Sequence, residues 1–245
     1  MTSIDPQEPG VGPRLALAGP AAAVTLVLGV TIAGLSWSGY SHRTQNISDL
    51  GGTGAPAPLV LNTSLVLFGL LVIVLAVALG RLRMGGRPLR IPAWLVGCLG
   101  VTSIVQGVTP CTPGCRGDTV VDAVHVLATM TGLLAFIAAT LLVWRRSRTE
   151  PGWSGVGRVS AWTGVGAAVT LGAWLVAAAV DPEALHAGAL QRLAVATVLV
   201  WTAVVGSRIA QRPGGGSPPG SGLEPHVAPA SPESRTASLR RSSRS

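Results

Sequence analysis

Lysine is absent: all 18 basic residues are arginine. A lysine nucleophile or Schiff base is therefore excluded. Charge of either sign is scarce, at 11% of residues, where an ordinary soluble domain carries about 25%. A soluble globule of 245 residues could not cover its surface with so few charges. No HxxxH or HExxH pair occurs, so the spacing of a helical zinc-hydrolase motif is missing. What fills the chain instead is apolar: 48% hydrophobic residues, with 32 glycines and 18 prolines that membrane helices tolerate better than soluble ones. The composition reads as an integral membrane protein.

Six long stretches hold no Asp, Glu or Arg apart from Asp122 and Arg192 near the starts of two of them: residues 15–41, 59–80, 91–110, 120–144, 159–180 and 190–207. A crossing needs about 20 mainly apolar residues, so the expected fold is an all-α, polytopic six-helix transmembrane bundle. Arginine placement sets its direction, because cytoplasmic loops retain basic residues near helix ends. One set of segments holds eleven arginines: Arg14, Arg81, Arg83, Arg87, Arg90, Arg145, Arg146, Arg148, Arg158, Arg208 and Arg212. The opposite set holds Arg43, Arg116 and Arg192. Both termini are expected in the cytoplasm and the bundle in the plasma membrane. The net charge of +8 then reports orientation and contact with anionic lipids, and no nucleic-acid partner is expected.

Three segments follow: a short cytoplasmic start (1–14), the transmembrane domain (15–208) and a tail (209–245). The first apolar run exceeds the 7–15 residues of a signal-peptide core, which favours a retained helix. The tail is rich in Pro, Gly, Ser and Arg, cannot bury a core, and is expected to be disordered and basic. The fifth span carries Gly155, Gly157, Ser160, Gly164, Gly166, Ala168 and Gly172. Small residues let backbones approach closely, so this helix is expected to be central or to pack on another chain in a homo- or hetero-oligomer. No strand precedes these glycines and no Lys-Ser/Thr follows, which excludes a phosphate loop. Arg90-Ile-Pro-Ala-Trp94 echoes Arg158-Val-Ser-Ala-Trp162, either as a remnant of duplication or as shared interface chemistry.

Polar chemistry gathers on the arginine-poor side. Asp118, Asp122 and His125 lie within about 60° of one another on the fourth helix, with Thr129 one turn deeper. A helix N-terminus favours the two carboxylates. His125 is deeper, and an ionisable group in a span is a functional candidate by default. Gln106 on the third helix is placed to hydrogen-bond the His125 ring. Arg192 opens the last helix and needs a partner, with Asp122 or Asp181 in reach of the reading. These residues, with His42 and Asp49 of the first outer loop, form the expected outer pocket: His42, Asp49, Gln106, Asp122, His125 and Arg192. Asp122, His125, His42 and His186 could serve a divalent metal such as zinc, although no cofactor follows from their spacing. A b-type haem lacks a second helical histidine at matched depth.

Cys111 and Cys115 flank Thr112-Pro113-Gly114, which fits a type II turn. A short disulfide bracing the loop is the expected state on an oxidising side, and a redox-active pair is the sharper alternative. Cys98 reads as a packing residue.

Residues 42–51 (HRTQNISDLG), Pro56, Asn62, Gly69-Leu70-Leu71, Gly107, Pro110, Asp118 and His125 together resemble an uncharacterised bacterial and archaeal membrane family, domain of unknown function 998. The resemblance covers about residues 15–208. It implies a multi-helix membrane protein of about six spans and carries no activity, cofactor or catalytic residue. The cysteine pair departs from the family pattern. Three functions remain open: an outer polar pocket for a lipid or small ligand, with metal-assisted hydrolysis as its enzymatic version; a non-enzymatic assembly subunit; and a transporter. Whether the chain is an enzyme stays undecided at this point.

Overall fold

The computed structural model describes residues 11–84, 86–115, 119–150, 152–181 and 185–211. Arg116, Asp118, Glu183 and the tail from residue 212, all singled out above, lie outside the described residues. Seven α-helices follow in order: α1 (Val11–Ala16), α2 (Ala18–Leu35), α3 (Pro58–Gly80), α4 (Arg90–Val108), α5 (Val120–Ser147), α6 (Ser154–Val180) and α7 (Ala187–Ala210). A two-residue ribbon, Arg83–Met84 against Arg87–Pro88, turns the chain between α3 and α4.

Six helices are long and apolar enough to cross a membrane, the first being the joined unit Arg14–Leu35. Pro20 has no N–H to give to the carbonyl of Ala16, and the helix breaks at Leu17 between α1 and α2. Apolar side chains occupy both the buried and the exposed faces. Leu28, Ile32, Leu67, Leu70, Leu127, Leu134 and Val169 are exposed, while Leu61, Val72, Phe136 and Trp201 are buried. A helix apolar on all sides suits a bilayer better than water.

Sequence neighbours pack side by side, and α7 closes on α2, so the six spans form a ring. Small residues sit at every seam. Gly19 of α2 lies against the Thr202 carbonyl and Gly206 of α7, and Gly29 lies against Ser64 of α3. Gly69 and Gly100 bring the α3 and α4 backbones together. Gly132 faces Thr102, Gly164 faces Thr140, and Gly166 faces Thr197. Such contacts replace the hydrophobic drive that lipid cannot supply between helices.

Inside the ring, Phe136 and Trp201 meet edge to face at 5.7 Å. The Trp201 indole N–H donates to Ser160 Oγ at 2.9 Å, so its polar atom is satisfied. One end of the bundle carries Arg81–Arg90 and Arg145–Arg158 and is termed the arginine end. The other, the loop end, carries residues 36–57, 109–115 and 185–186.

Candidate functional site

The loop end is roofed by residues 36–57. The chain leaves α2 at Leu35, six residues before the end expected from composition. Gly39, at φ +85°, turns it back. A 3-10 turn, Ile47–Gly51, then drops over the ring, with Ile47 and Leu50 buried. Asn46 and Asp49 form a reciprocal capping box that fixes this turn.

Each neighbouring element pins the roof. Gln191 of α7 accepts from the Ile47 amide at 2.5 Å, and Trp174 of α6 donates to Asn46 Oδ1 at 3.1 Å. Asn62 of α3 donates to the Gly51 carbonyl at 2.9 Å. Arg192 donates to the carbonyls of Gln45 and Gly188, each at 2.8 Å, and to the Tyr40 hydroxyl. Its guanidinium also lies 5.4 Å from the Tyr40 ring centroid. Arg192 Nε is buried without a hydrogen-bond partner. Tyr40 passes its own hydroxyl hydrogen to the Asn46 carbonyl at 2.6 Å.

Asp49 accepts from the amides of Asn46 and Gly114, at 2.8 and 3.2 Å. Burial pushes its carboxyl above the ordinary value of 3.8; those two amides and the Arg192 charge pull the other way and lose. Burial likewise raises the Tyr40 phenol, against the opposing pull of Arg192.

Beneath the roof lies a cavity of about 80 Å³. Its polar lining comes from Ser48 of the roof, Ser103 and Gln106 of α4, His125 and Thr129 of α5, and Gln191 of α7. Its apolar lining includes Leu26, Leu65, Phe68, Leu99, Leu133 and Val198, which lie deeper along their helices. His125 is 5% exposed. Its Nδ1 lies 2.8 Å from the Thr109 carbonyl. A carbonyl can only accept, so Nδ1 carries a hydrogen.

The connection after α4 holds the Cys111–Cys115 disulfide, with Cα atoms 5.1 Å apart. Asp122 grips this loop, accepting from the Thr112 amide at 2.8 Å and the Thr112 hydroxyl at 2.6 Å. The Cys111 carbonyl accepts from the Thr53 amide at 2.7 Å, joining the loop to the roof.

The expected outer residues thus fall in several places. Gln106 and His125 line the cavity, but Gln106 donates to the Thr102 carbonyl at 3.3 Å while Thr109 holds the His125 ring. Asp49 and Arg192 hold the roof. Asp122 holds the disulfide loop rather than Arg192. His42 packs edge-on against Tyr40 at 5.0 Å, beside Gly34. His186 lies against Arg43 at 2.9 Å. Among the described residues, the His, Cys, Asp and Glu atoms that could share one metal ion belong to Cys111, Cys115 and His125, all within 4.8 Å of one another. His42, Asp122 and His186 are outside that group. Ser48, an outer-loop candidate from the sequence, lines the cavity, whereas sequence reasoning gave no role to Gln191, Tyr40 or Trp174. The three-residue spacing of Asn46 and Asp49 is a capping signal that was present in the sequence.

A family described as protein of unknown function (DUF998) matches residues 20–208. No curated protein and no solved structure matches the chain.

Proposed function

The chain belongs to the DUF998 family of proteins of unknown function, and from that premise we propose that it binds a small amphipathic ligand in the roofed cavity of its membrane bundle. The observation that carries this reading is the division of the cavity lining. Six polar side chains, His125 among them, lie toward the loop end beside Ile47, Leu61 and Val195, while Leu26, Phe68, Leu99, Leu133 and Val198 line a deeper part with no polar side chain. That division matches a molecule with one hydrogen-bonding head and an apolar body.

Volume decides the size. A space of about 80 Å³ is well below the roughly 300–1,000 Å³ of a pocket for a drug-sized ligand. A complete lipid does not fit under the closed roof. A short alcohol- or amide-headed molecule, or the polar end of a longer one with the roof lifted, does.

In this reading the loop end faces away from the cytoplasm across the plasma membrane, and both termini are cytoplasmic. The eleven-to-three arginine distribution supports it. A cysteine introduced at Gly54, on the roof with open space around it, should react with a membrane-impermeant maleimide in intact cells. Protection there, with reaction at an Arg87→Cys variant, would reverse the orientation.

The ligand test uses straight-chain alkanols from ethanol to octanol as probes, with the protein in lipid nanodiscs. Melting temperature should rise most for a short member and less for longer ones. Thr129→Leu, which fills the cavity, should abolish the rise. A shift that grows steadily with chain length, or that survives Thr129→Leu, would refute the reading.

A second reading, a subunit of a membrane assembly, is favoured by one feature. Added side chains at Gly155 and Gly172 of α6 would meet nothing within 4 Å, so no neighbour within the chain uses them. Crosslinking in native membranes that disappears in Gly172→Leu would support it, and an unchanged monomer would count against it.

A further inference from the structure

We infer that Cys111, Cys115 and His125 form a thiolate–imidazole site for zinc, which the disulfide closes and reduction opens. Their ligand atoms all lie within 4.8 Å of one another. Zinc held by two sulfurs at about 2.3 Å and a nitrogen at about 2.0 Å sets those atoms roughly 3.5–3.8 Å apart. The three donors need only modest movement to meet that spacing once the sulfur–sulfur bond is broken.

The donor chemistry agrees. Two thiolates and one imidazole with a fourth position for water is an established zinc set. With the Nδ1 hydrogen given to the Thr109 carbonyl at 2.8 Å, the ligating atom in this proposal is Nε2. A ring hydrogen bonded to a carbonyl is the usual outer support of a zinc histidine. Cys111 and His125 are buried, and Cys115 is half-buried at the solvent side, where an ion and its water would enter.

The scaffold around the trio is fixed on both sides. Asp122, one helical turn before His125, holds Thr112 by two hydrogen bonds of 2.8 and 2.6 Å. The Cys111 carbonyl is held by Thr53 at 2.7 Å. Gly114, at φ +81°, supplies the flexible point between the sulfurs. Asp122 and Thr53 are positioning residues and are not ligands.

The two states exclude each other because only thiolates bind the ion well. Reduction by a thiol pair adds two electrons and two protons: the Cys111–Cys115 bond breaks, two S–H groups form, and the reductant leaves as its own disulfide. Zinc then displaces the two protons.

The test uses the full chain in nanodiscs. A water-soluble tertiary phosphine reduces the pair, becoming the phosphine oxide with water supplying the oxygen and the two protons. Zinc chloride is then titrated against a chromophoric chelator without oxygen. The expected result is one zinc per reduced chain and none per oxidised chain. Cys98→Ser should leave binding unchanged, while Cys111→Ser or Cys115→Ser abolishes it and His125→Ala weakens it at least tenfold.

Should a cysteine variant fail to fold, maleimide labelling of the reduced wild type decides: zinc must protect Cys111 and Cys115 and leave Cys98 as reactive as before. Binding by the oxidised protein, undiminished binding in the His125→Ala variant, or no protection of the pair would overturn the assignment. The inference does not depend on a cavity ligand, since Thr129→Leu should block alkanols and leave zinc stoichiometry intact.

Discussion

The guanidinium of Arg192 touches the hydroxyl of Tyr40 across 152 residues of sequence. The same side chain also reaches the Gln45 carbonyl. A residue in the second turn of α7 therefore determines where the chain leaving α2 comes to rest. Hydrogen bonds from a charged donor contribute about 1.5–3 kcal/mol each.

Arg192→Ala is accordingly expected to cost about 2–4 kcal/mol, after allowance for partial exposure. The measurement is melting temperature in detergent, with hydrogen exchange to locate the loss. Faster exchange should be confined to residues 40–50. Arg192→Lys should recover only part, because an ammonium cannot reach two carbonyls and a phenol in the same fork. Full recovery would show that charge alone matters.

Asp49 predicts a pH dependence. Burial raises its carboxyl above 3.8, so the folded chain holds that proton more tightly than the unfolded chain. Between the unfolded and the raised folded values, stability falls as pH rises. Below that window the group contributes nothing; above it the buried carboxylate destabilises in full. The difference in melting temperature, wild type minus Asp49→Asn, should decline as pH climbs from about 3.8 and then level off. A flat or rising difference would contradict the assignment to burial.

Asp122→Ala removes both hydrogen bonds from Thr112. Loss of two bonds to a carboxylate should lower the melting temperature. The local effect is more diagnostic: the Cys111–Cys115 bond should be reduced faster by a thiol reagent, because its loop is no longer tied to α5. Unchanged reduction kinetics would show that the Thr53 contact suffices.

Gly100→Leu and Gly172→Leu form a matched pair. A side chain at Gly100 would meet the Gly69 carbonyl and Ile73 at 2.7 Å, and overpacking of this kind costs about 1–3 kcal/mol. The same change at Gly172 meets nothing within 4 Å. The first variant should lose melting temperature and homogeneity on gel filtration. The second should keep the fold of the single chain, and equal damage from both would contradict the seam.

The spans were legible because an uncharged run of 20 residues has few other uses. Their ends were less so. Residues 36–41 contain no Asp, Glu or Arg, so composition extends the first span through a turn that Gly39 makes. Arg158 was read as a boundary, yet α6 begins at Ser154, since an arginine near a helix end reaches back to the interface. α7 starts at Ala187, just after His186 at φ +53°, a conformation no composition rule marks. At the site, periodicity put His125 and Thr129 on one face, and both line the cavity. The approach of Cys111 and Cys115 to His125 depends on how α4 and α5 are joined. A four-residue cysteine spacing carries no trace of it.

The glycine seams also say which way the bundle can be entered. Parting α3 from α4 means pulling backbone from backbone at Gly69 and Gly100, and again where Gly107 meets the Asn62 carbonyl. Raising the 3-10 turn means releasing side-chain hydrogen bonds of Gln191, Trp174, Asn62, Arg192 and Asp49 and uncovering Ile47 and Leu50. Sideways breathing toward the acyl chains is thus the costlier motion. Traffic should pass over the rim, and its rate should follow the strength of the contacts that hold the roof rather than the fluidity of the surrounding lipid.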